Sequence, residues 1–278
     1  MRVIETVNEM VKWPMANDTV LVPTMGALHE GHRELIRAGK NLTGEEGTLI
    51  VSIYVNPTQF NDKKDFKSYP KTFDQDCKIC EEEGVDLIFH PSDSEMYSGK
   101  ETVSVTESKL TKYLCGASRS GHFEGVCTVV TKLFNIIKPA TAVFGKKDYQ
   151  QLAIIKKLVT DLNFSIKIIE AETVREQDGL AISSRNKFLN AEERKQSNTI
   201  YKALTAMRSS TERQASELIA LSRSIIESEA PLGTIDYLEI VDRNTLKPIQ
   251  KIDRPSLAAI AIFFSKTRLI DNIEINSL

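Results

Sequence analysis

The run Thr48–Val55 (Thr-Leu-Ile-Val-Ser-Ile-Tyr-Val) is almost continuously apolar and rich in β-branched residues. A strand without polar alternation must be covered on both faces, which is the situation of a central strand in a parallel sheet. Parallel neighbours require crossover connections, so this run predicts helices before and after it. The sequence supplies them in order. A short β-rich run at Thr19–Val22 leads through a glycine-containing loop to a helix predicted over about residues 31–44. Tyr69-Pro70 opens a second helix that closes at Gly84, and Val85–Phe89 reads as the next buried strand. Val126, Val129, Val130, Leu133, Phe134 and Ile137 recur at helical spacing within Gly125–Lys138, where Pro139 stops the helix. Strand Thr141–Phe144, helix Gln150–Asn163 and strand Ser165–Ile169 follow. This alternation predicts an α/β fold with a doubly wound parallel sheet. Right-handed crossovers then gather the loops after the strands along one sheet edge, where ligands bind near the switch in strand order.

After about Thr173 the pattern changes. A polar stretch, Val174–Gly179, leads into Ile182-Ser183-Ser184-Arg185-Asn186. Helices predicted at Ala191–Ser209 and Thr211–Ser228 and strands at Ile235–Val241 and Leu257–Phe264 indicate a smaller C-terminal α+β domain. The expected division is 1–174 and 175–278. With 36 basic and 38 acidic residues the net charge is −2, which gives no electrostatic basis for binding nucleic acid or an anionic membrane. No stretch reaches the roughly 18 apolar residues that span a bilayer. The start, Met-Arg-Val-Ile-Glu, reaches an acidic residue too early for a signal peptide, so the chain reads as cytoplasmic. Four cysteines in 278 residues do not make a disulfide framework. Cys77 and Cys80 form a lone C-x-x-C inside an acidic helical stretch, and Cys115 and Cys127 are too distant to complete a zinc knuckle. A structural role for the pair is favoured over a redox or zinc role.

The chemistry-bearing residues fall in loops after predicted strands. His29 and His32, three apart, share one helix face just after Gly26 and astride Gly31. At a helix start, backbone N–H groups and imidazoles converge on an anion such as triphosphate, and an imidazole N–H can donate to phosphate oxygens as charge builds on them. A metal reading would need a third ligand, which no neighbour supplies at suitable spacing. Lys147 suits phosphate oxygens as a point charge and Asp148 suits ribose hydroxyls, although a solvated Lys-Asp pair is the bland alternative. A G-x-x-x-x-G-K-[ST] loop is absent from the sequence. Gln59 and Gln151, neutral amides in apolar surroundings, could together grip a small hydroxy acid without drawing charge from its carboxylate. Ser183, Ser184 and Arg185 read equally as a turn cluster or as a cover for β- and γ-phosphates. Cys115–Phe123 reads as a Gly-rich loop carrying Arg119 and His122, a candidate gate. Together these features point to a chain that splits ATP at its α-phosphate.

These segments, in this order, resemble the pantothenate synthetase (pantoate–β-alanine ligase) family. The likeness runs through Pro-Thr-Met-Gly-Ala-Leu-His-x-Gly-His, Val-Asn-Pro-x-Gln-Phe, Gly-His-Phe-x-Gly-Val, Phe-Gly-x-Lys-Asp-Tyr-Gln-Gln, Val-Arg-Glu-x-Asp-Gly-Leu-Ala and Ser-Ser-Arg-Asn. Only the His-x-Gly-His element is shared with the wider nucleotidyltransferase superfamily. The resemblance implies a Rossmann-like N-terminal domain, a C-terminal lid domain and a homodimer. It implies Mg²⁺-ATP chemistry with pantoate and β-alanine as the small-molecule substrates and pantoyl adenylate as the intermediate. By position it implies phosphate contacts at His29, His32, Lys147, Ser184 and Arg185 and a ribose contact at Asp148. Further ATP contacts are implied at Met25, Gly145, Val174, Ile182 and Ser183, and pantoate contacts at Gln59 and Gln151. Asp76 is a metal candidate by analogy, but Gln75 beside it departs from the pattern, so no metal ligand is assigned. Lys146 and Ser120 depart as well, at positions without an assigned role. Two other readings stay open: a nucleotidyltransferase of the same superfamily acting on another small substrate, and a nucleotide-binding regulator without turnover.

Overall fold

The computed structural model describes residues 1–44, 46–61 and 63–276, with the side chains of 63–65 outside that description. The chain forms two compact units. Met1–Ser108, Arg119–Lys146 and Gln151–Glu172 make the first; Lys109–Ser118, Lys147–Gln150 and Thr173–Leu278 make the second. Lys147 and Asp148, although they follow a strand of the first unit, therefore group with the second.

The first unit is built on a parallel sheet of β1 (Arg2–Ile4), β2 (Val20–Thr24), β3 (Leu49–Ile53), β4 (Leu87–Phe89), β5 (Thr141–Gly145) and β6 (Lys167–Ala171). Its order is β1-β4-β3-β2-β5-β6. Every residue of β3 is buried, as its unbroken apolar run requires. The chain winds outward from β2 through β3 to β4, then crosses back to place β5 on the other side of β2. The switch point thus lies between the carboxyl ends of β2 and β5, which end at Thr24 and Gly145. Val20, Val22, Ile36, Leu49, Val51 and Ile88 belong to the core cluster of this unit. Gly39 lets the helix Glu30–Lys40 lie close on the sheet, since a Cβ there would come 2.9 Å from Leu49 Cδ1.

The second unit holds an antiparallel sheet of β7 (Gly233–Asp242), β8 (Ser256–Phe264) and β9 (Thr267–Ile275), packed by the helices Thr199–Ser209 and Ala215–Glu229 around Leu204, Leu218, Ile240 and Ile260. The doubly wound parallel sheet and the α+β C-terminal portion match the expected fold class. Several boundaries differ for local reasons. The helix expected from Tyr69-Pro70 starts at Phe73 after its N-cap Thr72, and Gly84 (φ 70°) follows its end. The helix expected over Ala191–Ser209 is two helices, Ala191–Ser197 and Thr199–Ser209. There the Ser197 hydroxyl donates to the Arg194 carbonyl, competing with the helical ladder. β9 has no counterpart in the expectation, because its hairpin turns at Ser265 (φ 49°) without a glycine and its middle is the polar pair Asp271-Asn272.

Candidate active site

In the first unit, β2 runs into Met25, Gly26 and Ala27 before the helix Glu30–Lys40 begins. Gly26 (φ 76°) and Ala27 (φ 50°) are both left-handed, which turns the chain sharply off the strand. The turn is held from below by Asp76, 1% exposed, in the helix Phe73–Glu82. Asp76 Oδ2 accepts from Ala27 N–H at 3.0 Å, Oδ1 accepts from Leu28 N–H at 2.8 Å, and the Thr72 hydroxyl donates to both at 3.2 Å. Burial pushes the Asp76 carboxyl above the ordinary aspartate value, and the backbone N–H groups pull it back down. The N–H groups expected to face an anion are those of the helix start, and the ones just before it are already in use. Those of Ala27 and Leu28 are taken by Asp76, and that of His29 is taken by His32.

His29 is the N-cap of the helix Glu30–Lys40. His32 Nδ1 accepts from the His29 backbone N–H at 3.3 Å. A ring nitrogen that accepts carries no proton, so neutral His32 bears its hydrogen on Nε2. The two rings lie 4.0 Å apart between centroids. Gly31 leaves room beneath them, since a Cβ there would make a tight contact at 3.0 Å with His29 Cε1. Arg33 and Arg37 tie the same helix to Glu83, at 2.7 Å each, which holds Glu83 below the usual carboxylate range.

After β3, Asn56 N-caps the 3₁₀ turn Pro57–Gln59 and is 1% exposed. Its Oδ1 accepts from the Tyr97 hydroxyl at 3.0 Å and the Thr58 hydroxyl at 2.9 Å. Its Nδ2 donates to Gly125 O and to Gln59 Oε1, both at 3.1 Å. That fixes the Gln59 amide, whose Nε2 is the end facing Met25 Sδ, 3.0 Å away. Gly125 permits the close approach; a Cβ would meet Thr58 backbone atoms at 2.6 Å. The candidate gate is corrected too: Leu114–Ser118 and His122–Ile137 are helical, and His122 is buried. His122 Nδ1 lies 2.7 Å from the Gln59 carbonyl, so it donates, and Nε2 accepts from Arg119 at 3.0 Å. Arg119 and His122 thus brace the turn that carries Gln59. Nothing in the sequence singles out Asn56 or Asp76 for this work, although Asn56 lies inside a motif of the family.

Gln151, half-buried, follows Gln150, which is fully engaged within the second unit through the Leu110 and Tyr113 carbonyls and the Gly116 N–H. Among the described residues no protein hydrogen bond involves the Gln151 side chain. Gly145 closes β5.

In the second unit, Lys147 Nζ lies 3.8 Å from Asp148 Oδ2, and Asn272 on β9 donates to the Lys147 carbonyl at 2.9 Å. Val174 and Ile182 are paired directly, Ile182 N–H donating to Val174 O at 3.0 Å across a turn made by Gly179 (φ 93°). Arg175 anchors this hairpin to Asp271 at 2.6 and 3.0 Å and lies over the Tyr201 ring. Ser183, Ser184 and Arg185 follow, all half-buried, with the Ser183 hydroxyl accepting from Arg185 N–H at 3.3 Å. The structure therefore gathers Met25, His29, His32, Gly145, Gln59 and Gln151 in one unit and Lys147, Asp148, Val174, Ile182 and Ser183–Arg185 in the other.

Cys77 and Cys80 are free thiols in the first core, with burial pushing Cys80 up to about 12. Such thiols are poor nucleophiles and poor metal ligands at neutral pH.

The family model described as pantoate-beta-alanine ligase matches residues 2–274. The chain belongs to the pantoate–β-alanine ligase family. It is 50% identical over 258 residues to the pantothenate synthetase of Akkermansia muciniphila, covering 92% of each chain. It is 46% identical to that of Fervidobacterium nodosum, over 99% of this chain and 100% of the relative. The crystal structure of pantothenate synthetase from Thermus thermophilus superimposes with a TM-score of 0.94 at 38% identity, each chain covered in full. A family member from Francisella tularensis, solved in complex with beta-gamma ATP and beta-alanine, gives a TM-score of 0.81 at 34% identity over 98% of this chain and 97% of that one.

Proposed function

We propose that this chain condenses pantoate with β-alanine at the expense of ATP, giving pantothenate, AMP and pyrophosphate. The observation that carries the reading is the His29–His32 pair at a helix start beside the sheet's switch point, with the Nε2 proton of His32 set by its own backbone partner. A carboxylate oxygen of pantoate attacks the α-phosphorus of ATP, and the bond to the β-phosphate oxygen breaks. The β-alanine amine then attacks the acyl carbon of pantoyl adenylate, loses its proton, and expels AMP. Both steps develop negative charge on phosphate oxygens, which imidazole N–H groups and cations stabilise more strongly in the transition state than in the ground state.

In this reading His29, His32, Lys147, Ser184 and Arg185 contact phosphates, and Asp148 contacts the ribose. Met25, Gly145, Val174, Ile182 and Ser183 line the nucleotide's place. Gln59 offers its Nε2 hydrogens to pantoate oxygens, an orientation that the Asn56–Gln59 bond supports, and Gln151 assists. Neutral amides orient the acid yet leave its carboxylate nucleophilic. Bound with ATP, Mg²⁺ would supply positive charge to the phosphate oxygens. Among the described residues no group of three or more His, Cys, Asp or Glu side chains forms a metal cage, and an ion carried by ATP would keep phosphate oxygens and water among its ligands. A functional division at 174/175, a homodimer and a cytoplasmic location complete the proposal, supported by family resemblance.

The test is a product assay with ATP, Mg²⁺ and pantoate, with and without β-alanine. Sustained AMP, pyrophosphate and pantothenate release only when β-alanine is present supports the ligase. A stable nucleotide-linked product would favour the nucleotidyltransferase reading, and ADP would overturn the phosphate assignments.

A further inference from the structure

The carboxylate of Asp76 sits under the loop that delivers His29, and its donor set decides what it can do. Its two oxygens face three donors: one backbone N–H each, from Leu28 and Ala27, and a Thr72 hydroxyl whose single hydrogen is shared between them at 3.2 Å. Three of the roughly four lone-pair positions that a carboxylate presents are thus turned to the chain's own donors. The side chain is 1% exposed, and its Oδ2 lies so near Gly26 that an added Cβ would stand 2.9 Å from it. An Mg²⁺ ligand needs lone pairs turned towards the ion and room for the waters that the ion retains. Asp76 has neither.

The opposite fit is close. Ala27, a non-glycine residue at φ 50°, occupies a conformation that costs about 1–2 kcal/mol for an L-residue. The turn brings the successive N–H groups of Ala27 and Leu28 to one side, the kind of concavity that favours an anion. Here the chain fills that concavity with its own carboxylate. Leu28 precedes the N-cap His29 directly, so whatever fixes the Leu28 peptide also sets where the cap begins.

We propose that Asp76 is a positioning residue: an internal anion that locks the Gly26–Leu28 turn and thereby sets the His29–His32 pair for phosphate, and that it does not ligate Mg²⁺. The kinetic arm of its test rests on the ligase reading; the exchange arm does not, because it is read without substrate.

The experiment compares wild type with Asp76→Asn by amide hydrogen exchange resolved at Ala27 and Leu28, and by the Mg²⁺ dependence of AMP formation. Wild-type Ala27 and Leu28 amides exchange slowly. In Asp76→Asn they exchange about tenfold faster, since one charged acceptor oxygen is replaced by an NH₂ group facing a donor. The amides of Leu49–Ile53 stay as protected as before, which separates the loop effect from global unfolding. kcat falls about tenfold while the Mg²⁺ concentration for half-maximal rate is unchanged. Thr72→Val, which removes only the hydroxyl donor, accelerates the same two amides by about threefold and serves if Asp76→Asn does not fold. Unprotected Ala27 and Leu28 amides in wild type, or unchanged exchange in the variant that folds, would overturn the proposal. So would a several-fold rise in the Mg²⁺ requirement. If wild type makes no pantothenate yet the amides respond as stated, the ligase reading fails and the turn lock stands.

Discussion

Of the segments that carry phosphate-contact candidates, two loops, one with histidines and one with an arginine, are each fastened by a buried aspartate in a different way. Under Gly26–His32, Asp76 receives backbone N–H groups and a hydroxyl. Under Val174–Arg185, Asp271, 3% exposed, receives the guanidinium of Arg175 at 2.6 and 3.0 Å, and Arg175 also donates to Gly179 O at 3.1 Å. The first arrangement suits a turn between a strand and a helix, whose N–H groups pair with neither element and can be spread over one carboxylate. The second suits a hairpin, whose backbone groups already pair across the turn, so that a side-chain cation must neutralise the buried acid. One residue type can thus fix loop shape through dipoles or through a full ion pair. The two should fail differently: the first in geometry and rate, the second in stability.

The largest effect is expected where the ion pair is broken. Asp271→Ala leaves the Arg175 guanidinium partly buried without its bidentate acceptor and should lower stability by about 3–5 kcal/mol, read by urea unfolding. A loss below about 1 kcal/mol, the range of an exposed pair, would erase the contrast between the loops. Next, His32→Ala removes both the acceptor for the His29 N–H and the Nε2 donor. We expect kcat for AMP formation to fall about 10²–10³-fold with little change in unfolding midpoint. An unaffected kcat would remove His32 from the phosphate machinery. Gly179→Ala sharpens the comparison from the other side. At φ 93° an added Cβ would stand 2.3 Å from Tyr201 Cδ1, the ring under Arg175. A loss of about 1–3 kcal/mol is expected, with a faster exchange of the Ile182 amide as its local signature.

The smallest effect is on pH. Arg194 holds Asp178 below its ordinary value of 3.8, and Arg37 and Arg33 hold Glu83 below 4.5. A depressed folded value means stability that is present above the unfolded value and lost as pH falls through the folded one. Asp76 has the opposite sign: its raised value means that ionisation costs stability as pH rises from 3.8 to that value. Below about pH 4 the contribution of the Arg194–Asp178 pair should therefore be lost. Hydrogen exchange of the Val174–Ile182 hairpin at stepped pH checks this, and unchanged protection down through that range would contradict it.

Much of this is legible in the sequence, and the reasons are specific. The apolar run around β3 requires a parallel sheet because only two-sided burial explains it. The motif loops can be placed because they follow strands. What escapes notice depends on contacts made across long separations. Asp76 looks like one acid in an acidic helix, and nothing local reveals that it reaches back to Ala27 and Leu28. Asn56 sits in a recognisable motif, but its hold on Gln59, Tyr97 and Gly125 exists only after folding. His122 reads as part of a glycine-rich loop because Gly116 and Gly121 suggest flexibility. In fact a Cβ at Gly116 would lie 2.1 Å from Thr111 O, so that glycine serves close packing. β9 is hidden by its polar centre, which carries the very aspartate that anchors Arg175.

Attack of the pantoate carboxylate on the α-phosphorus is tested by following its oxygen atoms. Pantoate labelled with ¹⁸O in its carboxylate is turned over with ATP and β-alanine, and the products are weighed by mass spectrometry. One labelled oxygen is expected in AMP and one in the amide carbonyl of pantothenate. Label absent from AMP would contradict it.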